Sequence, residues 1–398
     1  MIIHYFSLNY KSFHEILPSK EQKMKTVAII CEYDPFHLGH KKQIDLVCER
    51  FGADTTVISV MSGSTVQRGR LSVYPKHLRA EAAIKNGSDL VLELPYPYCS
   101  SSAEHFARGA VALISELGGI DILAFGSENG NLAELSRAAD VIRSEEYLSA
   151  IRENGKNGHI KSAEEIFRSL SGDGFPTTPN DILAVEYIAA LKDESSNILP
   201  FTYKREEGYS ASRSRELIYG GDDASEMLPE SAISVFEKST PTDIGAYESV
   251  ALHTIRTTDV EILSSYYGMN GGVAGLIKAN AENVSSLDEL IFSCVNKSYT
   301  AARIRRAILS SVLGVKAETV KDRPLFTNLL AANSKGREYL NKIRKTASIN
   351  IVTKTADGSL LPENALKQFE LSLGADKLMA LCRKEAASEI FKRNPYID

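Results

Sequence analysis

Five short aliphatic runs constrain this chain more than any other feature: TVAII from Thr26, TTVISVM from Thr55, DLVLELP from Asp89, DILAFG from Asp121 and ILPFTY from Ile198. Each is bounded by turn residues and too short for a helix, so each reads as a buried strand. Helical spacing separates them. GHKKQIDLVCERFG places Ile44, Val47, Cys48 and Phe51 on one face; AEHFARGAVALISELGG gathers Phe106, Ala110, Leu113 and Leu117 before a Gly-Gly stop. PKHLRAEAAIKNG starts on Pro75 and ends on Asn86-Gly87, as a helix should. Strands alternating with helices imply βαβ crossovers and a parallel sheet. The expected fold class is α/β, a Rossmann-like parallel sheet of five strands, the fifth following a helical excursion through residues 131–195. Past Arg215 the patterns turn mainly helical, as in SYTAARIRRAILSSVLG, with one β-rich interruption at ASINIVTK.

A length of 398 residues suits two domains, and the change of pattern puts their boundary at 225/226: an α/β unit over 24–225 and a mainly helical unit over 226–398. Residues 1–23 lack the apolar centre and cleavage site of a secretory signal and read as an extension ahead of Met24. No apolar run approaches the ~18 residues that span a bilayer, so membrane insertion is not expected. The five cysteines are scattered, with no C-x-x-C pair, which speaks for a reducing cytoplasm and against a disulfide or zinc framework. The net charge of −5 conceals an asymmetry: between Lys297 and Lys354 thirteen Lys/Arg face three acids. That segment alone is strongly basic in an acidic chain.

The junction of the first strand with its helix reads EYDPFHLGH. In an open parallel sheet, ligands bind beyond the carboxyl ends of the strands, and a helix N-terminus there offers unpaired N–H groups and a positive dipole to phosphate. His37 and His40 can add imidazole donors, and Gly39 leaves room for a flat base against the backbone. Zinc is the competing use of two histidines, but no third ligand with suitable spacing is evident. Ordinary turn residues are the other. The glycine patterns of dehydrogenases and P-loop enzymes do not occur at this position.

EYDPFHLGH resembles the H-x-G-H signature of the nucleotidyltransferase superfamily. In order along the chain, VMSGSTVQRG, AIKNGSDLVLELP, FGSE, PND, YKR, SASRSREL and NKSYTAARIRRAIL also resemble segments of the bacterial tRNA(Met) cytidine acetate ligases. The likeness covers nearly everything from Met24 onward. It implies activation of acetate by ATP, with Mg²⁺, as acetyl-adenylate, and transfer of the acetyl group to the N4 amine of the wobble cytidine of elongator tRNA(Met). The same likeness makes His37, His40 and Arg205 the catalytic groups. It lines the ATP site with Ile30, Cys31, Glu32, Tyr33, Asp34, Pro35, Phe36, His37, Leu38, Gly39, His40, Lys41, Lys42 and Gln43, and adds Gly126, Asn180, Arg205, Ser210, Ser212 and Arg215. Two positions depart from the family pattern. Asp34 stands where Asn is more usual and calls for a nearby cation; Arg213-Ser214 replace small or apolar residues, leaving open which arginine of the loop faces phosphate.

By their own chemistry, Asn180 is equally a helix cap after Pro179, and the serines of YSASRSREL are equally turn residues. Gln67 and Arg68 are candidates to face acetate or the target base. Arg303, Arg305 and Arg306 flank an apolar stripe of Ile304, Ile308 and Val312, the pattern of a helix lying on a nucleic-acid backbone. Lys335 and Arg337 extend the basic set, and Tyr299 and Tyr339 are candidates for base stacking. A small-molecule adenylyltransferase and a non-catalytic tRNA-binding protein are the rival readings.

Overall fold

The computed structural model describes residues 25–154, 163–172, 174–206, 208–320 and 323–398; the extension assigned to residues 1–23 lies outside them. The five expected strands form as β1 (Thr26–Cys31), β2 (Thr56–Ser62), β5 (Leu90–Leu94), β6 (Ile122–Ser127) and β7 (Leu199–Lys204). All five are parallel, in the order β5-β2-β1-β6-β7. Between β2 and β5 a short antiparallel pair, β3 (Thr65–Val66) and β4 (Arg70–Leu71), turns at Gly69, whose φ is +77°.

Strands β1, β2, β5 and β6 are buried on both sides, which is why they read as continuous apolar runs, while β7 is a partly exposed edge. Val27 and Ile29 face the helices Leu38–Phe51 and Lys76–Ile84, while Ala28 faces the helices Ala103–Leu117 and Pro179–Asp193. This alternation is the period-two geometry of a strand.

The expectation of five strands needs correction: among the described residues the sheet has eight. The chain goes through a helical layer running from Glu230–Phe236 to Ala301–Val312, then returns as β8 (Phe326–Ala332), antiparallel to β5. Two more strands, β9 (Asn350–Val352) and β10 (Tyr396–Ile397), pair with β8. The β8 segment, FTNLLAA, escapes a period-based reading because Leu and Ala favour helices and the run does not alternate. A buried ionic cluster fixes this return. Lys76 Nζ lies 2.8 Å from Glu93 of β5 and 2.7 Å from Asp376 of the helix Glu363–Cys382. Ser64 donates to Asp376 at 2.6 Å and Asn328 to Glu93 at 2.6 Å. Removing one partner from such a cluster strands a buried charge, at about 3–5 kcal/mol.

Candidate active site

The strand order reverses at β1, since the chain runs from β1 to β2 and β5 on one side and then back to β6 and β7 on the other. A crevice opens at such a reversal, outside the carboxyl ends of β1 and β6. Into it lead the turn after β1, the end of β6, the end of β7 and the N-terminus of the helix Ala211–Gly220.

His37 is the N-cap of the helix Leu38–Phe51, with extended backbone at φ −130° and ψ 170°. Its Nδ1 accepts the Gly39 N–H at 3.0 Å, and His40 Nδ1 accepts the His37 N–H at 3.2 Å. The two imidazoles form a reciprocal capping box and stack with centroids 3.6 Å apart. Burial, followed by the charges of Arg205 and Arg215, pushes His37 down to about 3. Burial, then His37 and Arg205, holds His40 well below its ordinary value. Both rings are therefore neutral. A neutral imidazole that accepts at Nδ1 carries its proton on Nε2, so each ring retains one N–H donor for a ligand.

Gly39 serves this box. A Cβ there would lie 2.9 Å from His37 Cε1 and 3.0 Å from His37 Nδ1, so the His37 ring occupies the space that sequence reading reserves for a nucleotide base. The same Cβ would lie 3.3 Å from Tyr209 Cβ, which places the two helix N-termini side by side. Ser210 caps the second of them, accepting the Arg213 N–H at 3.1 Å. Paired N-termini concentrate positive potential where a polyphosphate would lie.

The cation that Asp34 calls for is Arg215. Its guanidinium donates to the Asp34 carbonyl at 2.7 Å and to Ser212 Oγ at 3.0 Å, and it stands 3.7 Å from Asp34 Oδ2. Asp34 Oδ1 accepts the Val73 N–H at 2.7 Å, whereas Oδ2 is buried without a hydrogen bond. Arg213 instead pairs with Glu216 on the surface, so Arg215 is the loop arginine turned toward the crevice. Tyr33, buried between Glu32 and Asp34, has a φ of +46°, a conformation side chains seldom adopt.

Behind this turn lies Arg79, fully buried, which sequence reading treats only as part of a helix. Its guanidinium donates to the carbonyls of Tyr74 at 3.0 Å and Glu32 at 2.5 Å, and to that of Gly63. Glu32 follows β1 and Gly63 follows β2, so one side chain ties the ends of the two strands together. Glu32 in turn accepts the Gln67 N–H at 2.6 Å; burial, then Asp34, raises its pKa. Elsewhere in 30–43, Cys31, Tyr33, Pro35 and Phe36 are buried, while Ile30, Leu38 and Gln43 are half-buried. Lys41 pairs with Asp45 at 2.5 Å, and Lys42 pairs with Glu206.

Across the crevice, Gly126, Asn180 and Arg205 meet. Arg205 Nη1 donates to Asn180 Oδ1 at 3.1 Å, and Asn180 Nδ2 donates to Glu128 at 2.5 Å. Glu128, whose partial burial acts upward, is held below its usual range by hydrogen bonds from Asn180 and Thr178. A carboxylate only accepts, so Glu128 fixes the Asn180 amide with its oxygen toward Arg205. Asn180 is thus no helix cap; Thr178 occupies that position. A Cβ on Gly126 would lie 2.8 Å from Arg205 Cγ, so the glycine lets the arginine lie against β6. Only Glu128 of this group goes unread in the sequence. Its signal was its place after Gly126, at the ligand end of a strand.

The basic residues divide. Arg303, Arg305 and Arg306 belong to the helix Ala301–Val312, which packs on the β3–β4 turn: a Cβ on Gly69 would lie 2.5 Å from the Arg306 nitrogen. Arg306 is half-buried and donates to the Gln67 carbonyl at 3.3 Å, Arg305 stands 3.9 Å from Asp288, and Arg303 lies over the Tyr299 ring at 4.8 Å. Lys335 and Arg337 follow β8, whose last residue pairs with Leu90, the first of β5. They lie at the opposite end of the parallel strands from the crevice, about 20 Å away at ~3.3 Å per strand residue. Tyr339 is buried and donates to the Gly118 carbonyl at 2.6 Å, so it belongs to the core.

A parallel α/β sheet that ends in a histidine-capped helix beside a second basic helix N-terminus defines a nucleotidyl-transfer fold, and the chain belongs to the HIGH nucleotidyl transferase family, matching it over residues 24–394. It is similar to the tRNA(Met) cytidine acetate ligase of Thermoanaerobacter sp. (strain X514), 32% identical over 92% of this chain and 97% of that one. With the enzyme of that name from Caldanaerobacter subterraneus subsp. tengcongensis the identity is 33%, with the same shares covered. Among solved structures, Thermotoga maritima TmcAL bound with alpha-thio ATP superposes with a TM-score of 0.86 at 27% identity, covering 94% of this chain and 99% of that one.

Proposed function

We propose that the chain activates acetate with ATP and acetylates N4 of the wobble cytidine of elongator tRNA(Met). The observation that carries this reading is the pair of neutral imidazoles capping one helix beside the N-terminus of a second, with Arg205 acting on both rings and Arg215 on His37. The names of the relatives supply the two substrates.

In this reading the triphosphate lies against the two helix N-termini, with the Nε2–H groups of His37 and His40 and the Arg205 guanidinium on its oxygens. A carboxylate oxygen of acetate attacks the α-phosphorus, a P–O bond forms, and the bond to the bridging oxygen breaks to release pyrophosphate. Negative charge shifts to the leaving oxygens, where preorganised donors act most strongly. The cytidine amine then attacks the acetyl carbon, AMP leaves, and the amine loses a proton. No covalent bond to the protein is needed. Mg²⁺ would be carried by the triphosphate, neutralising charge. No group of three or more His, Cys, Asp or Glu side chains able to hold a metal occurs among the described residues.

The division at 225/226 assigns ATP to the five parallel strands and RNA to the helical layer that follows, whose chain then rejoins the sheet as β8, β9 and β10, with Arg303 and Arg305 on the crevice side as the nearer RNA contacts. Lys335 and Arg337 would reach only a distant part of the same RNA. The five cysteines are free, in keeping with a cytoplasmic protein, and no helix among the described residues is long and apolar enough to cross a membrane.

The test is exchange of labelled pyrophosphate into ATP. Exchange that requires acetate supports the proposal. Exchange that requires a different acceptor supports a small-molecule adenylyltransferase, and no exchange with retained tRNA binding supports a non-catalytic RNA-binding protein.

A further inference from the structure

A cavity of about 90 Å³ lies where the β3–β4 turn meets the helices Ala211–Gly220, Ile244–Thr257 and Ala301–Val312. Its walls are mainly apolar, with Leu71, Ile244 and Ile308 among them; Arg70, Arg305, Tyr219 and Thr242 supply polar groups, and the one carboxylate on the wall, the exposed Asp288, stands 3.9 Å from Arg305. Arg70 is half-buried, and among the described residues its guanidinium has no hydrogen-bond or ion-pair partner. A half-buried guanidinium without a partner on an apolar wall is a receptor for an anion that carries hydrocarbon.

The cavity also adjoins the crevice. Tyr219 on its wall lies one helical turn beyond Arg215, which stands 3.7 Å from Asp34 Oδ2, and Arg70 lies three residues beyond Gln67, whose N–H donates to Glu32 at 2.6 Å. Size then selects the occupant. A cavity of roughly 150 Å³ takes the six carbons of benzene. One of about 90 Å³ takes about four heavy atoms, which suits acetate and not the eight of a pyrimidine base.

We propose that this cavity is the acetate subsite, with the methyl group against Leu71, Ile244 and Ile308 and one carboxylate oxygen on Arg70, leaving the other oxygen directed at the α-phosphate. The assignment rests on the proposed function.

The experiment measures acetate-dependent and propionate-dependent pyrophosphate exchange in the full chain, with ATP binding followed separately by calorimetry. Arg70→Gln is expected to raise the KM for acetate at least tenfold and leave ATP affinity within about threefold. Ile244→Ala, at a half-exposed position that folding tolerates, is expected to raise the propionate-to-acetate ratio of kcat/KM about tenfold, the worth of one methylene in an apolar pocket. An unchanged acetate KM in Arg70→Gln together with an unchanged acyl preference in Ile244→Ala overturns the subsite. Loss of transfer to tRNA with normal acetate-dependent exchange in both variants would give the cavity to the base and also overturn it. If the unaltered protein shows no acetate-dependent exchange, the proposed function itself fails, an outcome separate from either.

Discussion

Replacing Gly39 by alanine tests the histidine cap more directly than deleting either ring. The added methyl carbon would sit 2.9 Å from His37 Cε1 and 3.0 Å from Nδ1, well inside the 3.4–4 Å of ordinary contact. The ring cannot simply swing aside. It is 2% exposed, stacked at 3.6 Å on His40 and bonded to the Gly39 N–H at 3.0 Å. Loss of the cap costs about 1 kcal/mol and overpacking about 1–3 kcal/mol, partly offset by the better helix propensity of alanine, about 1 kcal/mol. The net expectation is a destabilisation of about 1–3 kcal/mol in urea unfolding. Pyrophosphate exchange should fall further, by about 100-fold, since a displacement near 1 Å is enough to spoil positioning. Gly374→Ala is the matched control. It lies in the helix Glu363–Cys382 with nothing within 4 Å of the new carbon, so it should stabilise the protein by about 0.5–1 kcal/mol. A Gly39→Ala protein with unchanged stability and exchange would refute the cap as the reason for glycine.

Protonation offers a second test. His37 has a native value of about 3 against an ordinary 6.5, so below 6.5 the unfolded chain binds a proton that the folded one refuses. Stability is fully present above 6.5 and is lost as pH falls toward about 3, by at most ~1.4 kcal/mol per pH unit. His37→Asn keeps a capping acceptor, and its unfolding free energy should lose that part of the pH slope; equal slopes between pH 7 and 5 would contradict the assignment. Asn180→Ala removes the support of Arg205 and should lower exchange about tenfold with little change in stability, whereas unchanged exchange would show that Arg205 needs no positioning. Arg79→Met leaves the carbonyls of Glu32 and Gly63 without donors, that of Tyr74 keeping Ser72 Oγ at 2.9 Å, and should destabilise by at least ~2 kcal/mol in urea titration; a smaller effect would mean water replaces the guanidinium. Arg303→Ala with Arg305→Ala should weaken tRNA binding and lower the salt slope of log K by about 1.5, at ~0.7–0.9 per phosphate contact, and Arg303→Ala alone, which does not touch the cavity, should leave acetate-dependent exchange intact. An unaltered slope would remove these residues from the RNA surface.

The chain by itself determined the parallel sheet and the location of the crevice. Strand runs such as TTVISVM and the helical spacing after Gly39 are local patterns, and a parallel order leaves the ligand edge little choice of place. Histidines three residues apart at a helix start are equally legible, because the capping box spans that interval. Tertiary structure alone decided the rest. Asn180 meets Arg205 across 25 residues, and Lys76 meets Asp376 across 300, separations at which no local period carries information. It also decided that Arg215 rather than Arg213 faces Asp34, since both lie within one helical turn and only packing distinguishes their faces. The added strand β8 follows the same logic: a run such as FTNLLAA becomes a strand because the free edge of β5 requires a partner, a demand made by the folded sheet rather than by the run itself.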